Sequence, residues 1–152
     1  GAFVGLTRAT TRGTFVRAIL EGLCYETHSI VQAMQELSGQ SVESIYAIGG
    51  AAKSAFWMQM KADVTGIPVR SKDVPEAAAL GAAMLAGLGA GVYTSPEDAA
   101  ARVQFAERQY TPDAAHHAQY MELYETLNRA LYPALREFNA AVTRAQGTNE
   151  GK

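Results

Sequence analysis

The sequence has little cysteine, no cluster of basic charge and no long apolar run, and each shortage excludes a class of protein. Its one cysteine, Cys24, has no partner for an internal disulfide or a zinc site, so we expect a reducing, cytoplasmic environment. The 13 Lys and Arg residues are scattered among 15 Asp and Glu residues, which argues against nucleic acid as a partner. The apolar stretch 77–92 is too short and too rich in Ala and Gly to span a membrane.

What remains is the composition of a folded domain. Apolar residues make up 48% of the 152 residues and charged residues 18%, which excludes a disordered or low-complexity chain. This length suits one domain with a single core. We expect residues 1–144 to form that domain and residues 145–152 to form a disordered tail.

Short apolar runs alternate with helical patterns in the first part of the chain. The predicted strands are 2–7, 42–48 and 68–71, and the predicted helices are 14–37, 54–65 and 76–89. This alternation predicts the α/β class, with a mostly parallel sheet covered by helices. After a connecting segment at 102–110, an amphipathic helix from Asp113 to Arg144 is expected to bend at Pro133.

Two of these predicted helices carry further expectations. In helix 14–37 a Thr at position 10, 11 or 14 suits the N-cap, and Gly39 suits a left-handed turn after the last residue. Its apolar residues form one stripe, namely Phe15, Ile19, Leu23, Ile30, Met34 and Leu37. In helix 76–89 we expect Glu76 to interact with the free amides at the start, and the small side chains to pack closely against the sheet.

The segment from Ile45 to Ser54 is a predicted buried strand that ends in Gly49-Gly50 and leads into a helix. Such turns lie at the carboxyl edge of a parallel sheet, where α/β proteins place ligands. Glycine lets a ribose or phosphate approach the main chain, and the helix start offers N–H donors. The loop therefore indicates a nucleotide contact, and a tight turn alone is the alternative. It lacks the spacing of a Walker P-loop or a dinucleotide fingerprint.

Four segments give the chain a resemblance to the FGGY carbohydrate kinases. They are Gly1–Thr7 with Arg17–Gly22, Ile48–Ser54 with Trp57, Ala62–Val69, and Glu76–Ala83 with Ala86-Gly87. This family has the actin-like, ribonuclease-H-like ATPase fold. The resemblance implies an α/β half-fold of that kind that lacks its first two strands and carries C-terminal helices. Ile48 and Lys53-Ser54 resemble the xylulokinase or gluconokinase branch more than the glycerol kinase branch.

The resemblance implies transfer of a phosphoryl group from Mg²⁺-bound ATP to a hydroxyl of a sugar or polyol. Carried over residue by residue, Gly49, Gly50 and Ala51 are the implied backbone contacts to the nucleotide. Ser54 stands at the position of a polar nucleotide neighbour, and Lys53 either contacts a phosphate or is solvated.

Two residues depart from the family pattern. Thr14 stands where the C-terminal signature has a His, Asp, Glu, Asn or Gln, and Ala51 stands where xylulokinase-like members commonly have a third glycine. We expect the loop to tolerate the methyl group of Ala51, with some change in nucleotide affinity.

The resemblance also implies parts that this sequence does not contain. The catalytic Asp base, the sugar pocket and a phosphate-gripping hairpin are expected upstream, so no catalytic residue is assigned here and the chain alone is expected to be inactive. Without that hairpin, strand edges and a helix face would be uncovered, which favours self-association or a companion chain. Residues 1–144 would then be part of a C-terminal nucleotide-binding domain. A non-catalytic assembly module and another actin-fold ATPase are the alternatives.

Four polar residues outside the loop have structural interpretations beside functional ones. Asp63 and Glu76 either bind Mg²⁺ or, as we favour, hold the turn before Gly66 and cap a helix. His116 and His117 are adjacent, and adjacent side chains on a helix point about 100° apart, which disfavours joint metal binding. We therefore predict no metal site within the chain.

Overall fold

The computed structural model describes residues 2–74, 76–103 and 105–147. Within them the helices are α1 (Arg12–Ser38), α2 (Ala55–Thr65), α3 (Ala77–Gly89), α4 (Pro96–Ala101), α5 (Ala114–Leu123) and α6 (Arg129–Gly147). The strands are β1 (Ile45–Ala47), β2 (Val69–Lys72) and β3 (Glu107–Tyr110). A 3-10 turn, Gly50–Lys53, follows β1, and a π-helical turn, Tyr124–Asn128, joins α5 to α6.

The first two helices have the ends that the sequence predicts. At the start of α1, Thr11 Oγ1 accepts the N–H of Thr14 at 3.1 Å, and Gly39 has a φ of 67° after the last turn. At the start of α2, Ser54 Oγ accepts the N–H of Trp57 at 3.3 Å, and Gly66 has a φ of 71° after its end. These caps satisfy backbone groups that a helix leaves unpaired at its ends.

The sheet has three strands in the order β1-β2-β3. β1 and β2 are parallel, with Ile45 opposite Val69, and β3 is antiparallel to β2, with Tyr110 opposite Val69. The predicted α/β class is confirmed. The connecting segment predicted at 102–110 is partly wrong, because β3 is a strand. Its polar sequence, Glu-Arg-Gln-Tyr, gives no apolar alternation, and pairing with β2 forms it.

The strand predicted at 2–7 does not form. In the described ranges no strand lies beside this segment, so its backbone has no ladder to join. Val4 and Leu6 are exposed, and the ring of Phe3 stacks on that of Phe15 with a centroid distance of 4.1 Å. The segment is held by this contact to α1 rather than by a sheet.

Two hydrophobic clusters lie on opposite sides of α2, because residues two apart on a helix point about 200° apart. One cluster joins α2 to α1 and the π-helical turn and contains Cys24, Tyr25, Met60, Val64 and Tyr124. The other joins α2 to the sheet and contains Ala52, Met58, Ala62 and Val69. α2 is therefore the central element of the core.

The apolar stripe predicted on α1 correctly indicates a helix, but it is not the face that this chain buries. The buried residues of α1 are Cys24, Tyr25, His28 and Val31. Along the stripe, Ile30 and Met34 are each 58% exposed and Leu37 is 90% exposed. α1 thus has two apolar faces, and the described part of the chain covers one of them.

The predicted packing of helix 76–89 against the sheet is wrong. α3 buries none of its described residues and packs against α4, with the ring of Tyr93 lying over Gly87. Glu76 precedes the helix with a left-handed φ of 47°, and its side chain caps no amide. The predicted interaction of Glu76 with the free amides at the helix start is therefore wrong as well.

The C-terminal helix predicted from 113 to 144 forms in two parts. Asp113 caps α5 by accepting the N–H groups of Ala115 and His116, each at 2.9 Å. The break is the π-helical turn, and α6 runs through Pro133 to Gly147. Residues 145–147 of the predicted tail therefore belong to α6, and residues 148–152 lie outside the described ranges. No helix of the described part has both the length and the apolarity needed to cross a membrane.

Replacing Met58 by Ala is expected to lower the free energy of unfolding by about 2–5 kcal/mol, because Met58 is 1% exposed and its removal leaves a cavity between α2 and the sheet. Urea unfolding of the chain measures the change. Met34→Ala is the matched control, since Met34 is 58% exposed and should cost less than about 0.5 kcal/mol. Equal costs for the two variants would contradict the assignment of this core.

Candidate functional site

The glycine turn after β1 lies at the carboxyl end of the parallel pair β1-β2 and leads through the 3-10 turn into α2. Residues 48–51 are exposed, as are Lys53 and Ser54. Ala52 between them is buried in the cluster beneath the sheet and fixes the turn to the core. The five predicted nucleotide-loop residues therefore lie together on one exposed turn with one internal anchor.

The two glycines leave open space above the turn. Gly49 has a φ of 86° and a ψ of −171°, a conformation that residues other than glycine rarely adopt. A Cβ atom built on Gly49 or on Gly50 would meet no atom within 4 Å. The main chain is thus accessible here, as a contact with a nucleotide requires.

Two backbone N–H groups of this turn have no backbone acceptor. In residues 2–74, 76–103 and 105–147, no backbone carbonyl accepts from the amides of Gly50 and Ala51, which are the first two of the 3-10 turn. The later amides are used, since Ala52 N–H donates to Gly49 O and Ser54 N–H donates to Ala51 O. The amides of Gly50 and Ala51 are therefore the unpaired backbone donors of this exposed turn in the described part of the chain.

Lys53 and Ser54 have other contacts in this structure. Lys53 Nζ lies 3.6 Å from Asp73 Oδ1, and both side chains are about two-thirds exposed, so solvent weakens the pair. Ser54 caps α2 with its hydroxyl. Lys53 thus ties the turn to the end of β2, and Ser54 sets the direction of α2.

A cluster of interacting polar side chains lies on the sheet beside the turn, and the sequence did not predict it. Arg70 Nη1 donates to the hydroxyl of Tyr46 at 3.2 Å, and Lys72 Nζ lies 5.8 Å from the centre of the Tyr46 ring. Glu107 pairs with both cations, at 3.7 Å to Arg70 and 3.3 Å to Lys72. The alternation of Arg70 and Lys72 in β2 was the available signal, but their partner Glu107 lies on the strand that the sequence did not predict.

Asp63 has a structural role, at a different place from the one predicted. Its Oδ1 accepts from Gln59 Nε2 at 2.8 Å and from the backbone N–H of Asp113 at 2.9 Å, and its Oδ2 accepts from His116 Nδ1 at 3.3 Å. The carboxylate therefore holds the start of α5 rather than the turn before Gly66. It lies roughly 13 Å along α2 from the glycine turn, so it takes no part in that site.

A cleft of about 440 Å³ opens beside Asp63, between α1, α2 and α5. Arg17 on its wall donates to Glu21 Oε1 at 2.8 Å and to the hydroxyl of Tyr120 at 3.0 Å. These polar groups thus bond to one another across the helix contact. Within the described residues no group of three or more His, Cys, Asp or Glu side chains lies close enough to hold a metal ion.

Comparison with known proteins gives concordant matches. The FGGY family of carbohydrate kinases, C-terminal domain, matches residues 1–90. The glycerol kinase of Saccharolobus islandicus (strain L.S.2.15 / Lassen #1) is 38% identical over 147 residues, which is 97% of this chain and 27% of that protein. The xylulose kinase of Rhodospirillum rubrum has a TM-score of 0.75 at 34% identity, over 90% of this chain and 28% of that structure. The gluconate kinase of Lactobacillus acidophilus has a TM-score of 0.71 at 26% identity, over 88% and 27%.

The chain spans about a quarter of the length of the curated relatives it matches. Because glycerol, xylulose and gluconate kinases all match, the expected placement in the xylulokinase or gluconokinase branch stays a prediction. The predicted kinship itself is confirmed, since the domain match covers more than half of the sequence and the solved structures share the fold. The chain belongs to the FGGY family of carbohydrate kinases and forms part of its C-terminal domain.

Proposed function

We propose that the chain is the nucleotide-binding part of a cytoplasmic, ATP-dependent carbohydrate kinase. The observation that carries this proposal is the open turn at Gly49 and Gly50, at the carboxyl end of β1, in a chain of the FGGY family. The kinase would transfer the γ-phosphoryl group of ATP to a hydroxyl of a sugar or polyol. That acceptor class is supported by the names of the relatives, which are glycerol, xylulose and gluconate kinases.

Each residue of the turn has a distinct role in this proposal. Gly49 and Gly50 admit the sugar-phosphate portion of the nucleotide to the main chain, and the amides of Gly50 and Ala51 donate to its oxygens. Lys53 exchanges its weak pair with Asp73 for a phosphate, and Ser54 keeps α2 aligned under the turn. A fixed set of donors aimed at the phosphates stabilises charge without further reorganisation.

The remaining chemistry is assigned to the rest of the kinase. Bound with ATP, Mg²⁺ supplies charge neutralisation at the transferred phosphoryl group. No group of three or more His, Cys, Asp or Glu side chains in the described residues lies close enough to hold the ion, and we place its protein ligands in the rest of the kinase. The Asp that accepts the proton of the acceptor hydroxyl is also placed there. This chain alone is therefore expected to bind nucleotide without turning over substrate.

The exposed apolar surfaces of the chain are consistent with its being one part of a larger kinase. The stripe of α1 is largely exposed, and α3 buries no described residue. β1 is an edge strand, and both its Tyr46 and Ile48 just after it are more than half exposed. Apolar area contributes about 25 cal/mol per Å² when it is covered. We assign the remainder of the kinase as the companion that covers these surfaces, and self-association is the alternative when the chain is alone.

Titration of the ¹⁵N-labelled chain with Mg-ADP tests the nucleotide site. The amide signals of residues 49–54 are expected to shift in a saturable manner, and the signal of Gly39, a left-handed turn of similar φ at the end of α1, is expected to stay in place. The same titration separates the alternative, a non-catalytic assembly module. If the signals of residues 49–54 shift neither in the chain alone nor in the assembled kinase, the proposed nucleotide site is wrong.

A further inference from the structure

All 3 histidines of the sequence meet where α5 packs against α1 and α2. His28 lies on the buried face of α1, and His116 and His117 lie in the first turn of α5. Residues 113–147 begin beyond the part that matches the family domain, which ends at residue 90. The histidines thus stand at the junction between that domain and the C-terminal helices.

His28 is enclosed by groups from three elements. It is 7% exposed, and its ring meets the ring of Tyr124 edge-on at a centroid distance of 4.8 Å. The backbone of Thr65 faces it from α2, His117 from α5, and Glu125 from the π-helical turn. In the described part of the chain its Nε2 is buried and has no hydrogen-bond partner.

The other two histidines fasten the start of α5 to α2. His117 Nδ1 donates to the backbone carbonyl of Asp63 at 2.9 Å, and its ring covers Gly66. His116 Nδ1 donates to Asp63 Oδ2 at 3.3 Å from a side chain that is 61% exposed. The carboxylate of Asp63 in this pair is only 7% exposed, so a charge on His116 would favour the docked state, whereas a charge on His28 would be enclosed beside a second histidine and would oppose it.

The charged form of His28 is unfavourable in this position. Burial lowers the pKa of His28 and the charge of His117 lowers it further, while the backbone of Thr65 and the carboxylate of Glu125 act in the opposite direction. A histidine whose pKa is lowered in the docked state binds more protons when it is released. Docking is then strongest above the ordinary value of about 6.5 and weakens as the pH falls below it.

We propose that His28 is a proton-sensitive contact: the C-terminal helices dock on the family domain most firmly when its ring is neutral, and their docking weakens when it is protonated. The segment released comprises α5, the π-helical turn and α6. Tyr124 is the group that separates from His28, together with the bond from its hydroxyl to Ser29 Oγ at 2.9 Å. The kinase domain would thus present its C-terminal helices differently in acidified and neutral surroundings.

Hydrogen exchange of the 152-residue chain tests this contact, with rates corrected for the pH dependence of intrinsic exchange. A released histidine is about 90% protonated one pH unit below its ordinary pKa, so the docking equilibrium falls by up to about tenfold between about pH 7.5 and pH 5.5. We expect residues 114–135 to lose protection severalfold, within that limit, while β2 keeps its protection. Absence of protection at the higher pH, or no loss at the lower pH, would overturn the proposal.

Two variants and a spectroscopic signal complete the test. In His28→Gln the loss of protection with pH should fall below about twofold, and in the matched control His116→Gln the loss should be at least as large as in the wild type. If residues 114–135 of His28→Gln are unprotected even at neutral pH, NMR of the His28 ring in the wild-type chain tests the proposal instead. Its Cε1–H signal must titrate at the pH where protection is lost. The proposal is wrong if the His28 signal titrates while residues 114–135 stay protected. It is also wrong if the wild type and His28→Gln lose the same protection as the pH falls.

Discussion

Gly50→Asp is expected to weaken ATP binding by the assembled kinase about 10- to 100-fold. The turn has open space at this position and Gly50 has an ordinary φ, so the variant should fold. Its carboxylate would then stand where we place the phosphates, and repulsion between such charges costs about 1.4–2.8 kcal/mol at partly screened distances. Calorimetric titration with Mg-ATP measures the loss.

Gly50→Asn is the matched control, because Asn has the shape of Asp without its charge. If the phosphates approach the turn, Asn should cost only a few-fold in affinity, through bulk alone. Equal losses for Asp and Asn would place an uncharged part of the nucleotide at the turn, and wild-type affinity in both variants would remove the nucleotide from it.

Gly66→Ala is expected to lower the free energy of unfolding by about 2–4 kcal/mol. Gly66 has a left-handed φ of 71°, and an added Cβ would lie 2.7 Å from His117 Cε1. The backbone strain costs about 1–2 kcal/mol, and displacing His117 also breaks its bond to the carbonyl of Asp63, worth about 1 kcal/mol. Urea unfolding of the chain gives the total.

Gly39→Ala separates the two contributions. Gly39 ends α1 with nearly the same φ, 67°, but a Cβ there would meet no atom within 4 Å. It should therefore cost about 1–2 kcal/mol, the strain alone. The difference between the variants measures what His117 contributes. If both variants cost the same, the ring moves aside freely and does not fasten α5.

Local signals in the sequence located the elements whose ends are fixed by neighbouring residues. Thr11, Gly39, Ser54 and Gly66 act within four residues of themselves, and the structure places all of them as caps. The glycine turn was also found from a local signal, because Gly49 has a backbone conformation that residues other than glycine rarely adopt. The contact of that turn with nucleotide is a prediction that the experiments above address.

Features that depend on distant partners were not predictable. β3 becomes a strand through pairing with β2, 35 or more residues earlier, and its own residues give no strand pattern. The contact between His28 and Tyr124 joins positions about 100 residues apart. The buried face of α1 could not be identified from the sequence, because its apolar stripe is stronger than the face that includes His28 and the pattern does not say which face a partner covers.

α2, which is buried on two sides, connects the glycine turn, where we place the nucleotide, to the histidines at the junction with α5. This helix of 11 residues, roughly 16 Å long, starts under the glycine turn and ends under the ring of His117. A nucleotide at Gly50 and a charge on His28 would thus both act next to the same helix. If ADP changes the affinity of His28 for its proton, thermodynamic reciprocity requires that the proton change the affinity for ADP by the same factor.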